Sequence, residues 1–95
     1  MDAEQKKKQN WPPVYVEWVD SRACTSSWEW FDSENRLGLC HVVTVGFLIY
    51  ETDEYIELAM DTADGEQVMG CTTIPKVAIT VMRSLNIGRK SRHGR

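Results

Sequence analysis

The stretch Val42–Met60, VVTVGFLIYETDEYIELAM, constrains this chain most, because it reads as two strands and the tight turn between them. Val43, Val45, Phe47 and Ile49 alternate onto one face of the first strand, and Ile56, Leu58 and Met60 alternate in the second. A period of two residues marks a strand whose two faces differ. Glu51-Thr52-Asp53-Glu54 supplies the polar turn. Together with the later Ile74-Pro75-Lys76-Val77-Ala78-Ile79, this pattern predicts a small closed barrel of short antiparallel strands.

The remaining segments fit around that core. Strand one is expected at Val14–Asp20, with Val14, Val16 and Trp18 on one face and Tyr15, Glu17 and Val19 on the other. Strand two runs from about His41 to Tyr50, where Gly46 marks a bulge or bend, and strand three from about Glu54 to Asp61. Asp64-Gly65 is the tip of the next turn. Strand four covers about Val68–Thr73. Pro75 has no N–H for a central ladder, so Ile74–Ala78 is read as a single helical turn before a last strand at Ile79–Leu85, with Ile79 and Val81 on one side. Ser21–Leu39 carries no strand pattern and is longer than most connections. Ser26-Ser27-Trp28-Glu29 offers a capping box for a short helix at Trp28–Phe31.

Ninety-five residues hold one core at most. The domain reading is a disordered arm at residues 1–12, a barrel domain at 13–86 and a basic tail at 87–95. The arm carries a lysine run, and Trp11-Pro12-Pro13 makes an extended entry to the domain. No apolar run approaches the roughly 20 residues of a membrane helix, and the polar start lacks a signal-peptide core. The expectation is a cytoplasmic protein, in a host's cytoplasm if viral, with no membrane partner.

The net charge of −3 conceals a division. Residues 11–85 set twelve acids against Arg22, Arg36, Lys76 and Arg83, a balance of −8, while Arg89, Lys90, Arg92 and Arg95 give the tail +4. Cys24, Cys40 and Cys71 are an odd number at wide spacings, without a C-x-x-C pair, so neither a disulfide framework nor a zinc site is expected. Asp53, Glu54 and Glu57 sit at a solvated turn that offers no burial to separate two carboxylate pKa values. His41 and His93 lack a nucleophile in a motif, and no Gly-rich phosphate loop occurs. No enzyme, cofactor or metal is expected.

Five short strands, a long first loop and a tight turn before the last strand resemble the SH3-like small barrels, and within them the Sm-like proteins. Asp53-Glu54-Tyr55-Ile56-Glu57-Leu58-Ala59-Met60 sits on the family's first motif, and Ile74-Pro75-Lys76 with Ile79 on its second. The match spans about residues 41–83. The asparagine that lines the family's RNA base pocket is Glu57 here, and the arginine of the second motif is Pro75 with Lys76 beside it. A carboxylate at that pocket repels a polyanion, so the resemblance implies the fold and not uridine binding. It also implies homo-oligomers, in which strand four of one subunit pairs with strand five of the next. In texture, the V-x-V-x-W-V-D-S start and I-P-K-x-A-I finish look like small bacteriophage accessory proteins, several of which block host defences.

The function expected is therefore binding. The partner surface is expected at Trp28, Trp30 and Phe31, with Arg22, Tyr50, Tyr55, Lys76 and Arg83 as further contacts, and its ligand is a host-defence protein or a small nucleotide signal. Loop aromatics make large rigid anchors, but the same rings could instead fold over a barrel end as a lid on the core. Trp11, Tyr15 and Trp18 divide in the same way between a binding face and the core. The alternative function is an Sm-like RNA or single-stranded-DNA-binding ring in which Arg89, Lys90, Arg92 and Arg95 contact nucleic acid.

Overall fold

The computed structural model describes residues 8–23 and 27–88. It is all-β: β1 (Pro13–Asp20), β2 (Cys40–Glu51), β3 (Tyr55–Ala63), β4 (Gln67–Pro75), a 3-10 turn (Lys76–Ala78) and β5 (Ile79–Ser84). Each strand falls within a few residues of its sequence expectation. All neighbours are antiparallel, in the order β4-β3-β2-β1-β5. The ladder ends there. β4 and β5 are not hydrogen-bonded to each other, so the five strands form an open sheet where the sequence led us to expect a closed barrel.

One face of the sheet builds the core. Val14, Val16, Ile56, Leu58 and Ile74 are buried together, with Trp18, Leu48 and Ile79 packed against them. The register explains the set: Val14 pairs with Gly46, Val16 with Thr44, Leu48 with Leu58, and Ile56 with Ile74. Cross-strand partners share a face, so these pairs stack side by side. Fully burying one isoleucine contributes roughly 1.5–3 kcal/mol, so the fold rests on few residues. The Trp18 indole N–H donates to Thr44 Oγ1 at 3.0 Å, which satisfies the ring's only polar atom at the edge of the core.

The more apolar-looking face of β2 points away from that core. Val43 and Val45 stay more than half exposed, opposite Glu17 and Tyr15, whereas Val42, Thr44, Gly46 and Leu48 face inward. Alternation shows that the two faces differ, but it does not say which is inside. Two irregularities adjust the pattern further. The β2 bulge falls between Leu48 and Tyr50, not at Gly46, whose bare Cα lets the Ala59 carbonyl approach. A second shift, between Glu17 and Trp18, sets Ile79 opposite Trp18 on the core side and Val81 opposite Glu17 on the outer side, which separates a pair expected together.

Beyond Ala59, β3 leaves β2 and continues with β4 as a two-stranded ribbon. Met60, Val68 and Met69 are exposed along it. An isolated ribbon is marginal in water, and the amino-terminal arm ties its tip. Gln9 N–H donates to the Gly65 carbonyl at 2.8 Å, and Lys8 lies 3.7 Å from Glu66. The tip is the expected turn, closed by Glu66 N–H to the Ala63 carbonyl at 3.0 Å, with φ of 57° at Asp64 and 67° at Gly65. Gly65 is required twice over, because a side chain there would also meet Gln9 and Lys8 at 2.9 Å.

Candidate functional site

Ser21–Leu39 leaves the sheet after β1 and returns at β2, and every described residue in it is exposed. Trp28 is 102% exposed, Trp30 99% and Phe31 77%. These values decide between the two readings of the loop: the rings are not a lid on the core. No helix forms at Trp28–Phe31 either, and Ser26, the expected cap, lies outside the described residues. The order that exists is local. Asp32 Oδ1 accepts from Glu34 N–H at 3.0 Å, and the Asp32 carbonyl accepts from Asn35 N–H at 3.2 Å, a side-chain-stabilised turn of the kind aspartate favours. Arg36 reaches back to place its guanidinium 4.9 Å from the centre of the Phe31 ring. A shallow recess is lined by Trp28, Glu29 and Trp30.

Tyr50, Tyr55 and Lys76 come together at the far end of β2. The two tyrosine rings lie 6.2 Å apart at 41°, and Lys76 Nζ sits 2.7 Å from a Glu51 carboxylate oxygen. Thr52 organises the turn, its Oγ1 accepting from the N–H groups of Glu54 and Tyr55, each at 3.1 Å. Lys76 N–H donates to the Glu54 carbonyl, which fastens the 3-10 turn to this corner. A lysine already paired with glutamate is poorly placed to greet a phosphate.

Arg83 belongs elsewhere. It stands opposite Tyr15 on β5 and lines an open recess with Tyr15, Glu17, Ser84 and Leu85. The Tyr15 hydroxyl donates to Glu17 at 2.6 Å. That bond holds the phenol above its ordinary pKa, with burial and the nearby carboxylate charge adding to the effect. Arg22 is exposed at the start of the long loop. The expected contact residues thus fall into separate groups: the loop rings, the Tyr50–Tyr55–Lys76 corner and the Tyr15–Arg83 recess. Arg89, Lys90, Arg92, Arg95 and Cys24 lie outside the described residues.

Sequence reasoning passed over the β3–β4 ribbon. Its open recess of about 560 Å³ is lined by Asp61, Thr62, Ala63, Gln67, Val68 and Met69. The signal available was the run of small and polar residues around Asp64-Gly65, which fits a ribbon with no heavy core face. Among the described residues, no three His, Cys, Asp or Glu are grouped to hold a metal, and no helix is long and apolar enough to cross a membrane. No family model, no curated protein and no solved structure matches this chain, so its residues and geometry are the basis for any functional reading.

Proposed function

We propose that this chain is a non-enzymatic binding protein of the phage accessory type, and that it occludes a host-defence component through the Ser21–Leu39 loop. The observation that carries the reading is the full exposure of Trp28 and Trp30, just ahead of the Asp32 turn. Exposed indoles hold apolar area in water at a cost, and a partner pocket recovers it. The separation of Arg22, Lys76 and Arg83 favours a protein partner over a small nucleotide within one subunit.

The strand order, and the 3-10 turn before β5, are compatible with an SH3-like or Sm-like small barrel. Among the described residues, β4 and β5 are the two edges of the open sheet, each hydrogen-bonded to a single neighbouring strand. We therefore propose that copies associate through β4 and β5, in the manner that resemblance implies.

Plating efficiency tests the function. Wild-type chain expressed in strains that each carry one defence system is expected to raise phage plating on at least one of them, and W28A/W30A is not. Equal rescue by the variant would remove the loop from the function, and no rescue in any strain would remove the host-defence role. Uptake of RNA or single-stranded DNA that depends on Arg89–Arg95 would favour the nucleic-acid-binding alternative instead.

A further inference from the structure

The loop that presents Trp28 and Trp30 is acidic as well as apolar. Trp28–Glu34 reads W-E-W-F-D-S-E, three rings and three carboxylates in seven residues, all exposed. Glu29 stands between the two indoles and shares their recess. Burying a carboxylate without a partner is strongly unfavourable, so a plain apolar pocket would reject this segment. Its complement must offer flat slots for rings and cations beside them. Arg36, two residues beyond this segment, is already engaged, lying over Phe31 with its Nη1 3.5 Å from the Asp32 carbonyl. The remaining surface agrees in sign, since residues 11–85 outside Trp28–Glu34 set nine acids against four bases, −5, and would steer the chain toward a basic partner.

A positive track set with aromatic platforms is how proteins hold single-stranded nucleic acid. The loop presents the two recurring parts of such a strand, a π face and a negative charge, in equal number. The Asp32 turn and the Arg36–Phe31 contact hold the Phe31–Asn35 end of the loop, which lowers the entropy lost on docking there. We infer that the loop is a single-strand mimic whose partner is a basic, aromatic-lined protein groove of the kind that holds single-stranded nucleic acid. Trp28, Trp30 and Phe31 take the base-stacking platforms, and Glu29, Asp32 and Glu34 meet the cations that track the backbone. The inference rests on the loop being the working surface and adds the chemistry of the partner.

The test uses the full chain, with an oligothymidylate and a ring-free polyanion, poly-glutamate, as probes. Titrated directly at about 150 mM salt, the chain is expected not to bind the oligothymidylate, and binding would overturn the mimic in favour of a nucleic-acid binder. The chain is then immobilised beside W28A/W30A and exposed to nuclease-treated bacterial lysate. Proteins held by the wild type alone are expected to be released by oligothymidylate at roughly tenfold lower charge concentration than by poly-glutamate. E29Q/E34Q, which keeps every ring, is expected to hold them about tenfold more weakly. Equal release by both polymers, release by neither, or undiminished capture by E29Q/E34Q would each overturn the mimic while leaving loop docking intact. Identical capture by wild type and W28A/W30A would instead remove the loop as the working surface, and the mimic with it.

Discussion

The inner face of the sheet and the Ser21–Leu39 loop are both rich in large apolar residues, and they meet opposite fates. Val16, Ile56 and Ile74 have no exposed surface, whereas Trp28 and Trp30 have lost none. The difference lies in what each segment's backbone can do. Strand residues satisfy their N–H and C=O groups along the ladder, so their side chains can be buried at no further polar cost. The loop satisfies part of its backbone through Asp32 and Asn35 and has no ladder to carry it across the core. Apolar character alone does not determine burial. A residue must also sit on a segment whose polar groups are already paired.

That contrast breaks most visibly if the core is cut. Ile56→Ala or Ile74→Ala is expected to cost about 2–5 kcal/mol, enough to lower the urea midpoint sharply or leave the chain unfolded. Retention of the wild-type midpoint would mean that burial on this face is not what holds the sheet. Gly70→Ala should cost less, about 1–2 kcal/mol. Gly70 has φ of 68°, and a Cβ there would stand 2.9 Å from the Met60 Cβ. The same urea titration reports it.

Thr44→Val removes the acceptor of the Trp18 indole at the core's edge and is expected to cost about 0.5–1.5 kcal/mol. On the loop side, W28A/W30A is expected to move stability by less than about 0.5 kcal/mol, so its melting curve should overlay the wild type's. A large drop would show that the rings support the fold after all, which would collapse the comparison.

The smallest effect is spectroscopic. Tyr15 is expected to ionise above its ordinary value of 10.0, and Tyr15→Phe should delete that high-pH step from an absorbance titration. The sign of the linkage follows from the raised folded pKa. The Tyr15–Glu17 bond stabilises the fold below the unfolded tyrosine pKa and stops doing so as pH rises through the folded value.

Much of the scaffold was legible in the residues. Alternation in Val42–Met60 located β2 and β3, Asp64-Gly65 located the ribbon tip, and Pro75 pointed to the 3-10 turn, although Ile74 and Pro75 themselves stay in β4, an edge strand, paired with Ile56 and Tyr55. These are local matters, decided by side-chain period, turn stereochemistry and a missing N–H within a few residues. The candidate site was legible as a composition, three aromatics in an unpatterned loop, but not as a geometry. Nothing in W-E-W-F says whether the rings turn inward or outward, since that depends on whether the sheet offers them a place.

Which face of β2 is buried was decided by its neighbours. Val43 and Val45 are as apolar as anything on the strand, yet Val14, Val16, Leu58 and Ile74 gather on the other side and draw Leu48 with them. A period of two is symmetric between faces, and only pairing with strands distant in sequence breaks the symmetry. The bulges beside Leu48 and Glu17 and the open gap between β4 and β5 are of the same kind, set by how twisted strands accommodate one another. The sequence by itself determined where the strands and turns lie, because those follow from neighbouring residues. Tertiary structure alone decided which apolar side chains are core and which are left to a partner, because burial depends on residues brought together from across the chain.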